Sequence, residues 1–364
     1  MRRKYGEKIR NLLRSVYTAL KQEEEPEFII PKRTFSSVYF DEADGYIKLK
    51  GETIRRRMLD LGESRRFMQT VLVLSTILQA IEEDDYPTIR DIYYSVKHTI
   101  EYQTPRGKRR EDTFESQRES DLIIEDIEVM LGILREELGI MFDAKGRAVG
   151  KITIQSKGHK IHLDRMGVGA WAIPPSVSDV EILDVDAEYV LVVEKGAIFE
   201  RLNNEEFWKK HRCILVTGKG QPDRGTRRFV KRLNEEFGLP VYVLADADPF
   251  GYYIYSVYKH GSIKLAYESE RLAVPKARFL GVTTSDIYRY KIPKRYIIKA
   301  TEHDLKRARE LMKYPWFQKK QWRKEFELFL KKQEKVEIEA LSGFGFRYLS
   351  EQYIPAKLQT GGLD

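Results

Sequence analysis

Tyr189-Val190-Leu191-Val192-Val193-Glu194, Cys213-Ile214-Leu215-Val216 and Val241-Tyr242-Val243-Leu244-Ala245-Asp246-Ala247-Asp248-Pro249-Phe250-Gly251 follow one another between residues 189 and 251. Each opens on a short apolar run. The stretches between, Ile198 to Lys210 and about Asp223 to Phe237, read as helices. Short apolar runs alternating with helices indicate βαβ units and a parallel sheet covered on both faces. Ligands of such open sheets sit beyond the carboxyl ends of the strands. Two of the three strand ends here carry acid. Glu194 closes the first run, and Asp246 and Asp248 close the third, two apart and so on one face if the strand continues. Carboxylates gathered at one point repel unless a cation lies between them, and hard oxygen donors favour Mg²⁺. The competing reading makes each acid a helix cap, for which Asp248 before Pro249 is well placed.

The whole chain has 364 residues, enough for two or three domains. Apolar residues make up 42% and charged residues 33%, so the chain can bury a core. Lys and Arg total 64 against 56 Asp and Glu, and the net charge of +8 points to a polyanionic partner, most simply nucleic acid. A basic surface with no partner is the alternative. The single cysteine, Cys213, excludes a disulfide framework and a cysteine-based zinc site. The longest mostly apolar stretch, Thr70 to Ile81, is too short for a bilayer, and no signal-peptide core follows Met1-Arg2-Arg3-Lys4. A soluble, intracellular chain with no membrane partner is expected.

Four pieces precede or contain the sheet. Residues 1–66 are an N-terminal helical extension in which Ile9, Leu12, Leu13, Val16, Tyr17 and Leu20 form one amphipathic stripe. That stripe packs either on its own body or on a partner chain. Residues 67–168 read as three helices and a hairpin. Phe67, Val71, Leu74, Leu78 and Ile81 mark the first helix, Thr88-Ile89-Arg90-Asp91 opens the second as a capping box, and about 114–138 is the third. Residues 151–155 and 160–163 alternate around Lys157-Gly158 as the hairpin. Three helices and a basic wing make a winged-helix (CAP-like) DNA-binding domain, with Lys151, Lys157, His159, Lys160 and Arg165 suited to phosphate. An ordinary hairpin with a solvated polar face is the alternative. Residues 169–188, with Pro174-Pro175 and an acidic run, read as a linker. Residues 189–364 hold the Rossmann-like sheet and a helical, aromatic C-terminal elaboration. There Trp316, Trp322, Phe344 and Phe346 are expected in the core or at a dimer interface. The expected class is thus a multidomain α/β and α+β chain.

Glu at one strand end and Asp-x-Asp at another resembles the Toprim metal-binding fold of topoisomerases, primases and some nucleases. The longer strings Val193-Glu194-Lys195-Gly196-Ala197-Ile198-Phe199-Glu200-Arg201-Leu202, Thr217-Gly218-Lys219-Gly220-Gln221-Pro222-Asp223 with Thr226-Arg227, and Asp246-Ala247-Asp248-Pro249-Phe250-Gly251 closely resemble the A subunits of type IIB DNA topoisomerases. The meiotic double-strand-break proteins are a related family. The likeness runs from about residue 65 to the end. Family members often carry Asp at the position of Gly196 and Tyr at that of Phe250; the first departure removes a nearby carboxylate, and the second is conservative.

DNA cleavage that conserves bond energy needs a covalent enzyme–phosphate link, which a Tyr hydroxyl can form. Ile89, Ile92, Tyr93, Val96 and Ile100 make one helical stripe, so Tyr93 belongs to the core. Tyr94 is turned about 100° away, beside Arg90, Lys97 and His98, a cationic face that suits a scissile phosphate. The family motif places its catalytic tyrosine at Tyr94 and an arginine at Arg90. The resemblance implies attack by Tyr94 on DNA, a 5′-phosphotyrosyl bond, and Mg²⁺ on Glu194, Asp246 and Asp248. It further implies a homodimer in which the tyrosine of one protomer works with the metal site of the other. The chain shows no phosphate loop of the Gly-x-x-x-x-Gly-Lys-Ser/Thr type. The resemblance assigns ATP to a separate B subunit in an A2B2 heterotetramer. The amphipathic helix around Leu12, outside the resemblance, is a candidate docking element for that subunit. It also implies a cytoplasmic, nucleoid-associated protein of archaeal-like origin. The alternatives are a Toprim nuclease that needs no Tyr94, a break-forming relative without strand passage, and a DNA-binding structural protein whose acids are caps. Gly218-Lys219-Gly220 with Arg227 and Arg228 is either a further DNA contact or a tight turn with a solvated helix face.

Overall fold

The computed structural model describes residues 2–105 and 107–364. The chain divides into two units, Met1–Val38 with Leu49–Asp143, and Tyr39–Lys48 with Ala144–Asp364. No helix among the described residues is long and apolar enough to cross a membrane.

In the first unit, α1 (Arg2–Lys21) lies on α2 (Ser64–Glu82). Gly6 and Ile9 of α1 are buried, and a Cβ on Gly6 would come within 3.1 Å of Ile81. Leu12, Leu13 and Val16 are less deeply placed, and Tyr17 and Leu20 are exposed. The first turns of the stripe therefore pack on the chain's own body. Residues 22–66 hold four short strands joined by turns, with little helix. β1 (Glu27–Pro31) begins a short ribbon to which β4 (Thr53–Arg57) returns antiparallel; the intervening hairpin of β2 (Val38–Asp41) and β3 (Tyr46–Leu49) belongs, through residues 39–48, to the second unit. Arg56 of β4 is buried and donates to Thr70 Oγ1 at 2.8 Å and to Asp126 Oδ2 at 2.7 Å. A buried guanidinium needs such partners, and these tie the ribbon to two helices.

α2 buries Val73 and Ile77 as well as the expected Phe67, Leu74 and Ile81, because it is packed by α1, α3 (Ile89–Val96), α4 (Gln117–Leu131) and β4 together. Thr88 and Asp91 close the capping box of α3 through the Asp91 amide on Thr88 Oγ1 and the Thr88 amide on Asp91 Oδ2, at 3.1 and 2.8 Å. α4 stops at Gly132, which takes the left-handed φ of 64°, short of the Leu138 that the apolar spacing suggests. Between α3 and α4 runs a hairpin that the apolar pattern does not announce, β5 (Thr99–Thr104) and β6 (Gly107–Asp112).

In the second unit, β7 (Arg147–Val149) joins the antiparallel side of the main sheet. β8 (Ile152–Ser156) and β9 (His159–His162) are the hairpin expected around Lys157-Gly158. It belongs to this unit and not to the helices of residues 67–138, so it is not their wing. The stretch 169–188 is not a linker. It contains β10 (Trp171–Ala172), paired with β7, and β11 (Val180–Val185), which completes a three-stranded sheet with β8 and β9. The apolar runs form β12 (Tyr189–Val193), β13 (Cys213–Thr217) and β14 (Val241–Leu244), with β15 (Arg278–Phe279) beyond. The order is β10-β7-β13-β12-β14-β15, and β13, β12, β14 and β15 are mutually parallel. Every residue of β12 and β13 is buried, as a sheet with helices on both faces requires. The intervening helices are α5 (Gly196–Asn204), α6 (Phe207–Lys210), α7 (Arg224–Phe237) and α8 (Pro249–His260). Trp316 and Trp322 are core residues, while Phe344 and Phe346 are exposed.

The 39–48 segment is fixed within this unit by His260. Its Nδ1 donates to the Gly45 carbonyl at 2.7 Å, and its ring meets Phe40 edge-on at 5.1 Å. Burial drives the imidazole down to about 3; the Gly45 carbonyl and Asp364 oppose this, and Lys259 and Lys319 add to it. The ring is neutral in the fold and takes up a proton on unfolding below its ordinary value near 6.5. This contribution to stability is complete above pH ~6.5 and is lost as pH falls toward 3. Between pH 7 and pH 4 wild type should lose on the order of 3 kcal/mol more than His260→Gln in paired thermal-unfolding series. Parallel pH dependences of the two proteins would refute this.

Candidate active site

Two groups of the expected residues lie in different units. The first is on α3. Ile92, Tyr93 and Val96 are buried, so α3 is held by one face. Tyr94 is 62% exposed against 7% for Tyr93, and their rings are 5.1 Å apart. Arg90, one turn before Tyr94, is exposed, as are Lys97 and His98 after it. Lys97 leans the other way. Its ammonium lies 5.6 Å from the Tyr93 ring centre and 3.9 Å from Asp112, and Tyr93 is the first cause of its raised pKa. Thr113 Oγ1 donates to the Val96 carbonyl at 2.7 Å, which anchors the end of α3 to the residue that follows β6. The face is thus a rigid helix carrying one solvent-facing phenol among cations.

The second group is at the carboxyl edge of the parallel sheet. Val193 of β12 is level with Thr217 of β13 and Leu244 of β14. The register brings the next residues of each chain segment to one edge. The Glu194 amide donates to the Leu244 carbonyl at 3.0 Å, and the Asp246 amide points at Glu194 Oε2 at 3.4 Å. Asp246 is buried, and its Oδ1 accepts the Ile338 amide at 2.8 Å. Asp248 caps α8 by accepting the Gly251 amide at 2.8 Å, so the capping reading holds for this residue. Gly251 is required. A Cβ there would lie 2.6 Å from the Asp246 carbonyl oxygen, because the first turn of α8 rests on the Asp246 backbone.

All three carboxyls are held above their ordinary range. Burial raises Glu194 to about 8, with the Asp246 and Asp248 charges adding to it. Burial raises Asp246 to about 6 against the pull of the Ile338 amide and Lys195. Burial also raises Asp248. Among the described residues no three Asp, Glu, His or Cys side chains already converge as a ligand set. Protein donors hold the acids instead: Lys195 and Ile338 on Asp246, Gly251 on Asp248. The donor chemistry fits a hard divalent cation, which would relieve three desolvated, mutually repelling carboxylates.

Lys151, Lys157 and Lys160 belong to neither group; they lie on β8, β9 and their flanks. Lys157 and Lys160 are exposed, and Lys151 is paired with Asp186 at 2.8 Å. Arg227 is 1% exposed and so does not lie on a solvated helix face, while Lys219 and Gly220 make a tight left-handed turn. Sequence reasoning missed Lys195, Glu337 and Glu339. The two glutamates arrive because Ala247 bridges Val336 and Ile338 reaches Asp246, pairings that no local pattern announces.

Three family models match successive parts of the chain. One described as type IIB DNA topoisomerase fits residues 65–140. One described as the all-beta domain of the DNA topoisomerase VI alpha chain fits 145–186. One described as the Toprim domain shared by the topoisomerase 6 A chain and Spo11 fits 189–358. Among curated relatives, the A chain of type 2 DNA topoisomerase 6 from Hyperthermus butylicus is 52% identical over 98% of this chain and 94% of its own length. Its counterpart from Aeropyrum pernix is 52% identical over 92% and 89%. The corresponding DNA topoisomerase 6 chain of Arabidopsis thaliana is 36% identical over 91% and 75%.

Proposed function

This chain belongs to the family of type 2 DNA topoisomerase 6 A chains, and on that ground we propose that it cuts and reseals both strands of DNA through Tyr94. The observation that supports the reading is the sheet edge along which Glu194, Asp246 and Asp248 lie as desolvated carboxylates, in a stretch matched by the Toprim family model. The Tyr94 oxygen attacks a phosphodiester phosphorus. The Tyr94 O–P bond forms as the bond to the 3′ oxygen breaks, the phenol proton leaves, and the 3′ oxygen takes one up. Arg90 holds the phosphate by charge, and Lys97 adds to it once its ammonium turns from Asp112 toward the phosphate. Resealing is the reverse transfer. Glu194, Asp246 and Asp248 would hold Mg²⁺, which supplies positive charge opposite the charge that develops on the phosphate. The helices α2–α4 with the β5–β6 hairpin act as the winged-helix module, and the exposed Lys157 and Lys160 add phosphate contacts.

One tyrosine cuts one strand, so two copies of the chain form the symmetric cutting dimer. The family name implies a B-subunit partner. ATP binding falls to that partner, in an A2B2 assembly. The unpartnered end of the α1 stripe serves as its docking element. Leu13→Ala with Val16→Ala should weaken binding to the B subunit by about tenfold, measured by calorimetry. Unchanged affinity would remove α1 from the interface.

The deciding experiment combines the chain, its B subunit, supercoiled plasmid, Mg²⁺ and a non-hydrolysable ATP analogue, stopped with detergent. Protein covalently joined to DNA 5′ ends is expected. Cleavage without adducts would indicate a Toprim nuclease. Adducts without relaxation once ATP is supplied would indicate a break-forming enzyme without strand passage.

A further inference from the structure

Lys195, directly after Glu194, has its ammonium in an unusual setting. Nζ lies 3.1 Å from Asp246 Oδ2, 3.1 Å from Glu337 Oε2 and 2.8 Å from Glu339 Oε2. An ammonium has three donors, and each has a carboxylate. The three acceptors are unequal. The Asp246 side chain is 10% exposed, whereas Glu337 and Glu339 are 57% and 42% exposed. One contact neutralises a buried charge; the other two face water. The outer pair is also indexed to the inner one, because Ile338, between the two glutamates, donates its amide to Asp246 Oδ1 at 2.8 Å. The ammonium therefore occupies the oxygen of Asp246 that the Ile338 amide leaves open. A divalent cation on Asp246 would be repelled by it at contact range.

We propose that Lys195 is a displaceable counter-ion of the acidic site, neutralising Asp246 until a divalent cation arrives and then moving wholly onto Glu337 and Glu339. The inference rests on the reading of Glu194, Asp246 and Asp248 as cation ligands. Lysine suits the task. Its four-carbon stem moves the charge a few ångström without backbone change, and the two outer glutamates keep it from becoming an unpaired cation. Lys195 is a positioning residue here, and Glu337 and Glu339 are its berth rather than further ligands.

The test is Mn²⁺ binding to the full chain without DNA, read by electron paramagnetic resonance, with no activity required. Lys195→Met should bind Mn²⁺ about tenfold more tightly than wild type, since the competitor is gone. Lys195→Arg keeps the charge and should bind no more tightly than wild type, which guards against a Met variant that folds poorly. Glu337→Gln with Glu339→Gln should weaken binding about tenfold, because Lys195 then stays on Asp246. In the Lys195→Met background the same pair should cost about twofold or less. Unchanged or weaker binding by Lys195→Met overturns the proposal. So does an equal loss from the glutamate pair with and without Lys195, which would make the glutamates ligands. Asp246→Asn separates the two levels. If it leaves Mn²⁺ binding intact, the ligand reading itself fails and the counter-ion proposal falls with it. If it abolishes binding while Lys195→Met changes nothing, only the counter-ion proposal fails.

Discussion

Tyr94→Phe should form no covalent adduct with DNA and should lower double-strand cleavage by ~10⁴-fold or more, with DNA affinity nearly unchanged. The substitution removes one oxygen from a residue that is 62% exposed. The ring remains, and with it the contact to Tyr93. Stability should therefore change by less than about 0.5 kcal/mol. The neighbouring phenol cannot substitute, because Tyr93 is 7% exposed and faces the core. Tyr93→Phe supplies the converse control and should still form adducts. The measurement is a denaturing gel of 5′-labelled DNA with the B subunit present. Adducts surviving in Tyr94→Phe would transfer the nucleophile elsewhere, and cleavage surviving without adducts would make the enzyme a nuclease.

Asp246→Asn should lower cleavage by about 10²–10³-fold at any Mg²⁺ concentration. The shape of the side chain is retained, and its oxygen can still accept the Ile338 amide. The charge is lost, and with it the oxygen that faces the Lys195 ammonium, which keeps Glu337 and Glu339 as partners. That charge is unfavourable to the fold itself, since burial lifts the carboxyl to about 6. A carboxyl raised in the folded state subtracts stability as pH climbs past its unfolded value. The thermal midpoint at pH 7.5 should accordingly hold steady or rise in Asp246→Asn. Loss of activity without loss of stability identifies a group kept for chemistry. Full activity restored by excess Mg²⁺ would show instead that Asp246 is not a ligand.

Much of this is readable in sequence because burial and periodicity coincide. β12 and β13 are buried throughout, so their runs are apolar throughout, and the acids that end β12 and follow β14 stand out against them. The 100° step between Tyr93 and Tyr94 separates core from surface for the same reason. Where neither face is buried, the signal disappears. Most of β5 and β6 is exposed on both faces, with strings such as Lys108-Arg109-Arg110-Glu111 that carry no apolar alternation. β11 does alternate, burying Val180 and Ile182, but its acids resemble a linker. The Lys195–Glu339 pair spans 144 residues and depends on a bridge that only the fold creates.

The register of β14 against β12 makes the acidic edge a matter of odd and even. Val193 faces Leu244, and the chain then reads Ala245-Asp246-Ala247-Asp248. A slip of one residue in either direction would present alanine where Asp246 stands. A slip of two toward the carboxyl end would present Asp248 in its place and leave the cap of α8 empty. An insertion or deletion keeps this register only if it falls outside the strand, and the turn at Gly238-Leu239-Pro240 is the nearest such place on its amino side. Length variation near the site should be found in that turn and absent from the residues between Val241 and Gly251.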